Sequence, residues 1–203
     1  HVDLRALHFR EAKLRAQVAE SELLTSQIEM LERLAVTADL REEPSGQHGY
    51  RVGRLAYLLG AALGWNRSAC YSIEMAARLH DIGKIAVPDR ILFASEDLKE
   101  AERGLMCAHT VFGAELLSKS NQTQLRLAQQ IAYQHHEWWN GQGYPMRLSG
   151  KRISLAARIV ALSDVFDALT HGRPYSEPWP IERALHEIRS RTGTQFDPEL
   201  ADT

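Results

Sequence analysis

The chain has 203 residues, of which 44% are hydrophobic and 25% are charged, so it is long enough for one well-buried core and has the composition of an ordinary soluble protein. Its formal net charge of −2 provides no basic surface of the kind that binds duplex nucleic acid, whereas a mononucleotide or dinucleotide held by a few cations and metal ions stays compatible. No apolar run reaches the ~20 residues that span a bilayer, and Cys70 and Cys107 form no CxxC pair, which favours a reducing, cytoplasmic setting over a disulfide.

Residues 1–43 contain neither Gly nor Pro and are rich in Leu, Ala, Glu, Arg and Gln, which predicts one long helix. An apolar seam follows heptad spacing from Leu24 onward, through Leu24, Ile28, Leu31, Ala35 and Ala38. About two clean heptads are too few to establish a coiled coil by themselves. We expect a signalling helix that forms a homodimer through this seam and links an upstream sensor or receiver domain to the rest of the chain. The alternative is that the seam packs on its own domain.

Pro44 and Gly46 end this helix, and residues 44–203 are predicted to form a second, all-α domain. Helical periodicity predicts helices at 46–63, 67–82, 97–119, 122–137, 152–170 and 179–191, with a short turn at 197–201. Alternating strand patterns are nearly absent. The predicted fold is therefore all-α, a compact bundle of about six to seven helices after the long N-terminal helix. Because the chain starts inside a helical pattern at His1, we expect it to be part of a longer protein.

Histidines and aspartates recur on the predicted helices and at their ends. The set is His48, His80, Asp81, His109, His135, His136 and Asp164. Adjacent residues on a helix point ~100° apart, so the two doublets in this set serve one site only at a helix end or if two metal ions lie side by side. Imidazoles and carboxylates without a thiolate favour Fe, Mn, Zn or Ni over a structural cysteine–zinc site. The loop 138–151 follows the second doublet directly, and a structureless loop of that length in a helical domain is usually functional.

The order of the motifs is far more specific than any single histidine. They read His80-Asp-Ile-Gly-Lys84, His135-His-Glu-Trp-Trp139, Gly143-Tyr-Pro145, Ala161-Leu-Ser-Asp164 and Arg173-Pro-Tyr175. From about Arg41 to Leu200, this set resembles the HD-GYP family, a branch of the HD phosphohydrolase superfamily. The resemblance implies an HD-type helical bundle and a phosphodiesterase that hydrolyses the bacterial second messenger cyclic di-GMP to linear pGpG, GMP or both.

The resemblance also implies roles for individual residues. Two divalent ions, for which Fe or Mn is expected, would be held by His48, His80, Asp81 and Asp164 and by Asp81, His109, His135 and His136. Asp81 and Lys84 would be catalytic, and Lys84, Tyr144 and Arg173 would contact the substrate. Glu137 and Asp167 would orient imidazoles from behind the ligands. GGDEF-type proteins are expected as partners of the Gly-Tyr-Pro loop.

Three departures from the family pattern qualify these expectations. Asn140 replaces a common Asp at the start of the loop, although Asn-Gly still suits a tight turn. Pro44 takes the place of a Glu expected in members with three metals, and Glu43 lies one residue away, which favours two ions. Ser176 replaces a common lysine and removes one basic contact to the substrate. Two alternatives stay open: a catalytically weak receptor that signals through the Gly-Tyr-Pro loop, and a hydrolase for another nucleotide.

Overall fold

The computed structural model describes residues 4–41, 43, 45–94, 96–118, 120–171 and 177–203, apart from the side chains at positions 4, 6, 7 and 38. These residues form helices and no β-strand, which confirms the predicted all-α class. The α-helices are α1 (Leu4–Asp39), α2 (His48–Ala62), α3 (Arg67–Ala77), α4 (Asp89–Leu92), α5 (Glu100–Cys107), α6 (His109–Leu116), α7 (Thr123–Gln134), α8 (Leu155–Thr170), α9 (Ile181–Ser190) and α10 (Pro198–Ala201). Short 3-10 helices span Ile82–Ala86 and Gly150–Arg152.

Two predicted helices have the wrong extent. The single helix predicted at 97–119 is two, α5 and α6, which meet at Ala108. Ala108 keeps helix-like dihedral angles (φ −64°, ψ −14°), so the apolar periodicity runs through the break and hides it. The helix predicted at 67–82 ends at Ala77, because the chain turns there to bring the Ile82–Ala86 helix onto α6. Both corrections place histidines at helix ends.

The core lies around α8, which packs against α2, α7 and α9. Helix α7 also packs against α3 and α6, and α2 packs against α3. The N-terminus of α8 is fixed by Ser154, whose hydroxyl accepts a hydrogen bond from the Ala157 amide at 3.2 Å. Fully buried Ile73, Ile131 and Ile159 join these helices. The arrangement brings the ends of α2, α3, α6 and α7 and the middle of α8 to one place.

Helix α1 has two different halves. Every side chain from residue 8 to residue 23 is exposed, whereas Ile28 and Ala35 are buried in the core and Leu24 and Leu31 pack against it. The seam from Leu24 to Ala35 therefore packs on its own domain, which was the alternative interpretation, and dimerisation of the chain stays a prediction. The Ala38 side chain lies outside the described residues. In the described part of the chain, no helix is both long and apolar enough to cross a membrane.

Candidate metal centre

Seven side chains meet where the helix ends converge, and they form two groups. The ligand atoms of each group lie within 4.8 Å of one another. The first group, cluster A, is His48, His80 and Asp164; the second group, cluster B, is Asp81, His109, His135 and His136. These are the seven residues that the sequence singled out as ligands, and the division between the groups follows the expected one except that Asp81 is counted with cluster B.

The helix ends explain why adjacent residues serve one site. His48 and His109 are the first residues of α2 and α6, and His135 directly follows α7. His80 and Asp81 lie in the turn after α3. Gly83 lets this turn approach α6, since a Cβ atom there would lie 1.9 Å from the His109 carbonyl oxygen. A backbone contact of this closeness accepts only glycine.

Asp81 lies between the two clusters and offers one oxygen to each. Its Oδ2 is 3.3 Å from Nε2 of His80 in cluster A. Its Oδ1 is 3.2 Å from Nε2 of His109 and 3.4 Å from Nε2 of His135 in cluster B. The Lys84 ammonium is 2.7 Å from Oδ2. The carboxylate therefore has the placement of a bridge between two cations.

Four of the histidines are oriented by hydrogen bonds at Nδ1, so that Nε2 faces the centre. Three of these bonds go to backbone carbonyls: His80 to Ala77 (2.8 Å), His109 to Met106 (2.7 Å) and His135 to Ala132 (3.0 Å). In the fourth, Nδ1 of His48 is 2.8 Å from Oδ2 of Asp167. A proton on Nδ1 leaves the lone pair on Nε2, which is the arrangement that metal-ligating histidines adopt.

The buried polar atoms of the centre fit metal ions better than they fit one another. Nε2 of His48, Nε2 of His80 and Oδ1 of Asp81 are buried without a hydrogen-bond partner. Leaving a buried polar atom unsatisfied costs about 1–3 kcal/mol. Nitrogen and carboxylate oxygen donors without sulfur suit divalent Fe, Mn, Zn or Ni. The residues present are therefore able to hold such ions.

The two clusters differ in their affinity for protons. Burial lowers the pKa of His48, but the Asp164 carboxylate, 3.3 Å from Nε2, and the Asp167 carboxylate at Nδ1 outweigh burial and raise that pKa to about 10. In cluster B, burial and the neighbouring imidazoles hold the pKa of His136 well below its usual value, and burial also lowers that of His135. Cluster A thus attracts positive charge, while His135 and His136 of cluster B are ready as neutral ligands.

Asp167 contacts Nδ1 of His48, as expected of a residue that orients a ligand, and it also contacts two other side chains. It also accepts hydrogen bonds from Arg51, at 2.7 and 2.9 Å. His171, which matched no ligand position in the sequence, lies 3.0 Å from Asp167 through its Nδ1. Sequence reasoning missed Arg51, although its position three residues after His48 on α2 puts the two side chains on one face.

Glu137 does not contact an imidazole, contrary to expectation. Its carboxylate accepts hydrogen bonds from the Met146 amide at 2.7 Å and the Leu148 amide at 2.9 Å. Within the loop, Gly143 packs so closely against the first residue of the loop that a Cβ atom at position 143 would lie 2.3 Å from the Trp138 nitrogen. Glu137 therefore fixes the loop 138–151, and with it the position of Tyr144.

The residues expected to touch substrate are only partly described. The Tyr144 ring lies beside cluster B, 4.8 Å from the ring of His136, and the Lys84 ammonium is beside Asp81. Arg173 and Ser176 lie outside the described residues, as does Pro44. Asn140 turns the loop as Asn-Gly should, since its Oδ1 accepts from the Gln142 amide at 2.9 Å and Gly141 has φ +83°. Glu43 uses both carboxylate oxygens on Arg51, at 2.9 and 2.7 Å.

Comparison with known proteins places the chain in a family. The model of a family described as HD domain matches residues 25–200. The chain is 40% identical over 174 residues to the cyclic di-GMP phosphodiesterase of Thermotoga maritima, covering 86% of this chain and 47% of that protein. It is 41% identical to the cyclic di-GMP phosphodiesterase response regulator RpfG of Xanthomonas campestris (94% and 52% covered) and 39% identical to the 3'3'-cGAMP-specific phosphodiesterase 2 of Vibrio cholerae (86% and 33%). The chain thus spans about a third to a half of these relatives.

Solved structures share the fold at lower identity. A cyclic GMP-AMP specific phosphodiesterase of V. cholerae superposes with a TM-score of 0.62 at 22% identity, covering 85% of this chain and 47% of that one. Bd1817 of Bdellovibrio bacteriovorus superposes with a TM-score of 0.61 at 22% identity, covering 76% and 49%. These similarities extend the all-helical architecture to proteins whose sequences have largely diverged.

Proposed function

The chain belongs to the HD domain family, in its HD-GYP branch, and we propose that it is a phosphodiesterase that hydrolyses cyclic di-GMP at a centre of two divalent metal ions. The observation that carries the proposal is the pair of clusters with Asp81 between them. His48, His80 and Asp164 would hold one ion, and His109, His135 and His136 the other. We propose Fe or Mn as the metals, because imidazole and carboxylate donors suit both.

Different residues of the chain would have different roles in hydrolysis. Bound divalent ions supply an activated water and neutralise the charge of the phosphodiester. Asp81, with one oxygen towards each cluster, would help to hold both ions, and the ions would in turn bind the reacting phosphate. The Lys84 ammonium, on the same turn, would pair with a phosphate oxygen by a charge-assisted hydrogen bond. Tyr144 would form the wall of the pocket beside His136, and Arg173 would contact the second phosphate, as the family resemblance implies.

A cyclic dinucleotide is favoured as substrate because the relatives that match most of the chain are named for cyclic di-GMP or 3'3'-cGAMP. The second candidate substrate is therefore 3'3'-cGAMP. Metal-loaded protein should convert cyclic di-GMP to linear pGpG, GMP or both, as followed by chromatography of the digests. The same preparation should be assayed with 3'3'-cGAMP and cyclic di-AMP. If binding occurs without product, the chain is a receptor; faster cleavage of 3'3'-cGAMP would reassign the substrate.

The proposal also covers partners and location. A homodimer would form through the exposed face of α1, on which Phe9 (71% exposed), Leu23 (60%) and Met30 (65%) stand at multiples of seven residues. An upstream sensor or receiver domain is supported by a relative named as a response regulator. Half-exposed Met146 on the loop 138–151 offers a contact for a GGDEF-type protein. A cytoplasmic location is proposed because Cys70 and Cys107 are free thiols, as is usual in a reducing compartment.

A further inference from the structure

The last residue of the N-terminal helix and the short segment after it contact the surroundings of the metal centre at several points. We call residues 39–41 and 43 the α1 turn. None of these four residues belongs to cluster A or cluster B. Its side chains nevertheless bind the backbone and side chains that place Asp81, Lys84 and His48.

Arg41 binds the main chain of the segment that follows Asp81. Its guanidinium donates to the Lys84 carbonyl and to the Val87 carbonyl, each at 2.8 Å, and it also pairs with Asp89. The Lys84 carbonyl already accepts the Val87 amide at 3.0 Å, and Val87 lies just past the Ile82–Ala86 helix, so an arginine that binds both carbonyls fixes the path of the chain there. The planar guanidinium suits this task because it presents several donors in a rigid fork.

Asp39 holds the start of the helix that carries His48. Its buried carboxylate accepts a hydrogen bond from the Gly49 amide at 3.1 Å, one residue after His48. The first amides of a helix have no partner within the helix, and an acceptor there fixes its N-terminus. The packing is close, since a Cβ atom at Gly49 would lie 3.2 Å from Oδ2 of Asp39 and 3.0 Å from the Arg78 carbonyl.

Glu43 reaches the His48 ring through two further side chains. Both of its oxygens pair with Arg51, Arg51 pairs with Asp167, and Asp167 contacts Nδ1 of His48 at 2.8 Å. In cluster B, by contrast, Nδ1 of His109 and Nδ1 of His135 are held by carbonyls of their own helical turns. Asp39 and Glu43 therefore act on the side of cluster A, whereas Arg41 holds the main chain next to Asp81, whose oxygens face both clusters.

We propose that Asp39 and Glu43 are positioning residues that set the metal affinity of cluster A and leave cluster B unaffected, so that a displacement of the end of α1 changes one metal site selectively. This inference rests on the proposed dinuclear centre. It assigns to the end of the N-terminal helix a defined route to cluster A: one backbone anchor, from Asp39 to Gly49, and one chain of ion pairs that starts at Glu43. Its consequence is measurable as metal binding, without any assay of hydrolysis.

The test measures Mn²⁺ affinity of the metal-depleted chain by competition with a fluorescent chelator, in two backgrounds. His109→Ala should leave cluster A as the remaining site, and His48→Ala should leave cluster B. Adding Asp39→Ala should weaken Mn²⁺ binding by about 10-fold in the His109→Ala background, the lower end of the range for residues that orient ligands. It should change binding less than about twofold in the His48→Ala background. Glu11→Ala, which removes an exposed carboxylate of α1 paired with Arg15, is the matched control.

Equal losses in both backgrounds would show general destabilisation and overturn the proposal, as would no loss in either. If Asp39→Ala does not fold, as judged by circular dichroism, Asp39→Asn and Glu43→Gln keep the side-chain shapes and carry the same test. Arg41→Ala should weaken Mn²⁺ binding in both backgrounds, because the backbone that Arg41 holds follows Asp81, whose oxygens face both clusters. Failure of the proposed function is separate: the unsubstituted chain would then bind fewer than two Mn²⁺ ions.

Discussion

Removing the charge of Asp81 is the sharpest test of the bridged centre. In Asp81→Asn, the Lys84 ammonium loses a carboxylate at 2.7 Å, and both side chains are nearly buried, with 12% and 6% exposed. Removing one partner of a buried ion pair costs about 3–5 kcal/mol. For a domain of this size, each kcal/mol shifts Tm by about 2–4 °C. The metal-free variant should therefore melt about 6–20 °C below the metal-free parent chain.

The same substitution should remove both ions, because one oxygen of Asp81 faces each cluster. Elemental analysis after Mn²⁺ loading and gel filtration should give two ions for the parent chain and close to none for Asp81→Asn. His48→Ala and His109→Ala should each retain one. Asp97→Asn, an exposed carboxylate, serves as the control and should match the parent in melting and in metal content. If Asp81→Asn kept one ion at full occupancy, Asp81 would belong to a single cluster and the bridge would be refuted.

Four further predictions address other parts of the molecule. The metal-free chain should lose stability between pH 6.5 and about 10, by up to ~1.4 kcal/mol per pH unit, because the native state keeps the His48 proton that the unfolded state releases. When the free energy of unfolding is measured with urea at several pH values, it should fall less steeply with pH in His48→Ala. Deleting residues 1–23 should leave a folded monomer by light scattering, whereas deleting residues 1–34 removes buried Ile28 and should cost at least the ~2–5 kcal/mol of a large core truncation. Glu137→Gln should increase proteolysis within the loop 138–151 while metal content stays constant, since the loop loses charge-assisted hydrogen bonds worth about 1.5–3 kcal/mol. Lys84→Ala and Arg173→Ala should each lower kcat/KM by about 10- to 100-fold, with Arg173→Ala at least as severe; unchanged kcat/KM would assign the residue a structural role.

The seven ligand positions were accessible from sequence because their motifs are long and ordered. His80 and Asp81 are adjacent, and so are His135 and His136, but adjacency alone leaves their shared use open; the order of the motifs and the family resemblance supply the set. The division of the seven into two clusters depends on how four helix ends meet. Only the fold supplies that information, through close contacts such as the one between Gly83 and α6.

The residues that support the ligands were predicted less well, for an identifiable reason. Glu137 follows a ligand histidine, but its partners are amides nine and eleven residues later, so its role depends on how the loop closes. Glu43 is near a position linked to a third ion, yet Arg51 on the next helix takes both of its oxygens. Periodicity shows which residues of α1 share a face, but it does not show whether a second copy or the chain's own domain covers Ile28.

Gly83 fixes the distance between the turn that carries Asp81 and the start of α6. Its backbone rests directly on the start of α6, with no side chain between, so the distance from Asp81 to His109 is set by main-chain contact. Main-chain atoms cannot change rotamer to accommodate a larger neighbour. A methyl group at position 83 would push the two segments apart by ångströms, and the ligand atoms of both clusters would separate with them. The geometry of cluster B is therefore encoded at a position that belongs to neither cluster.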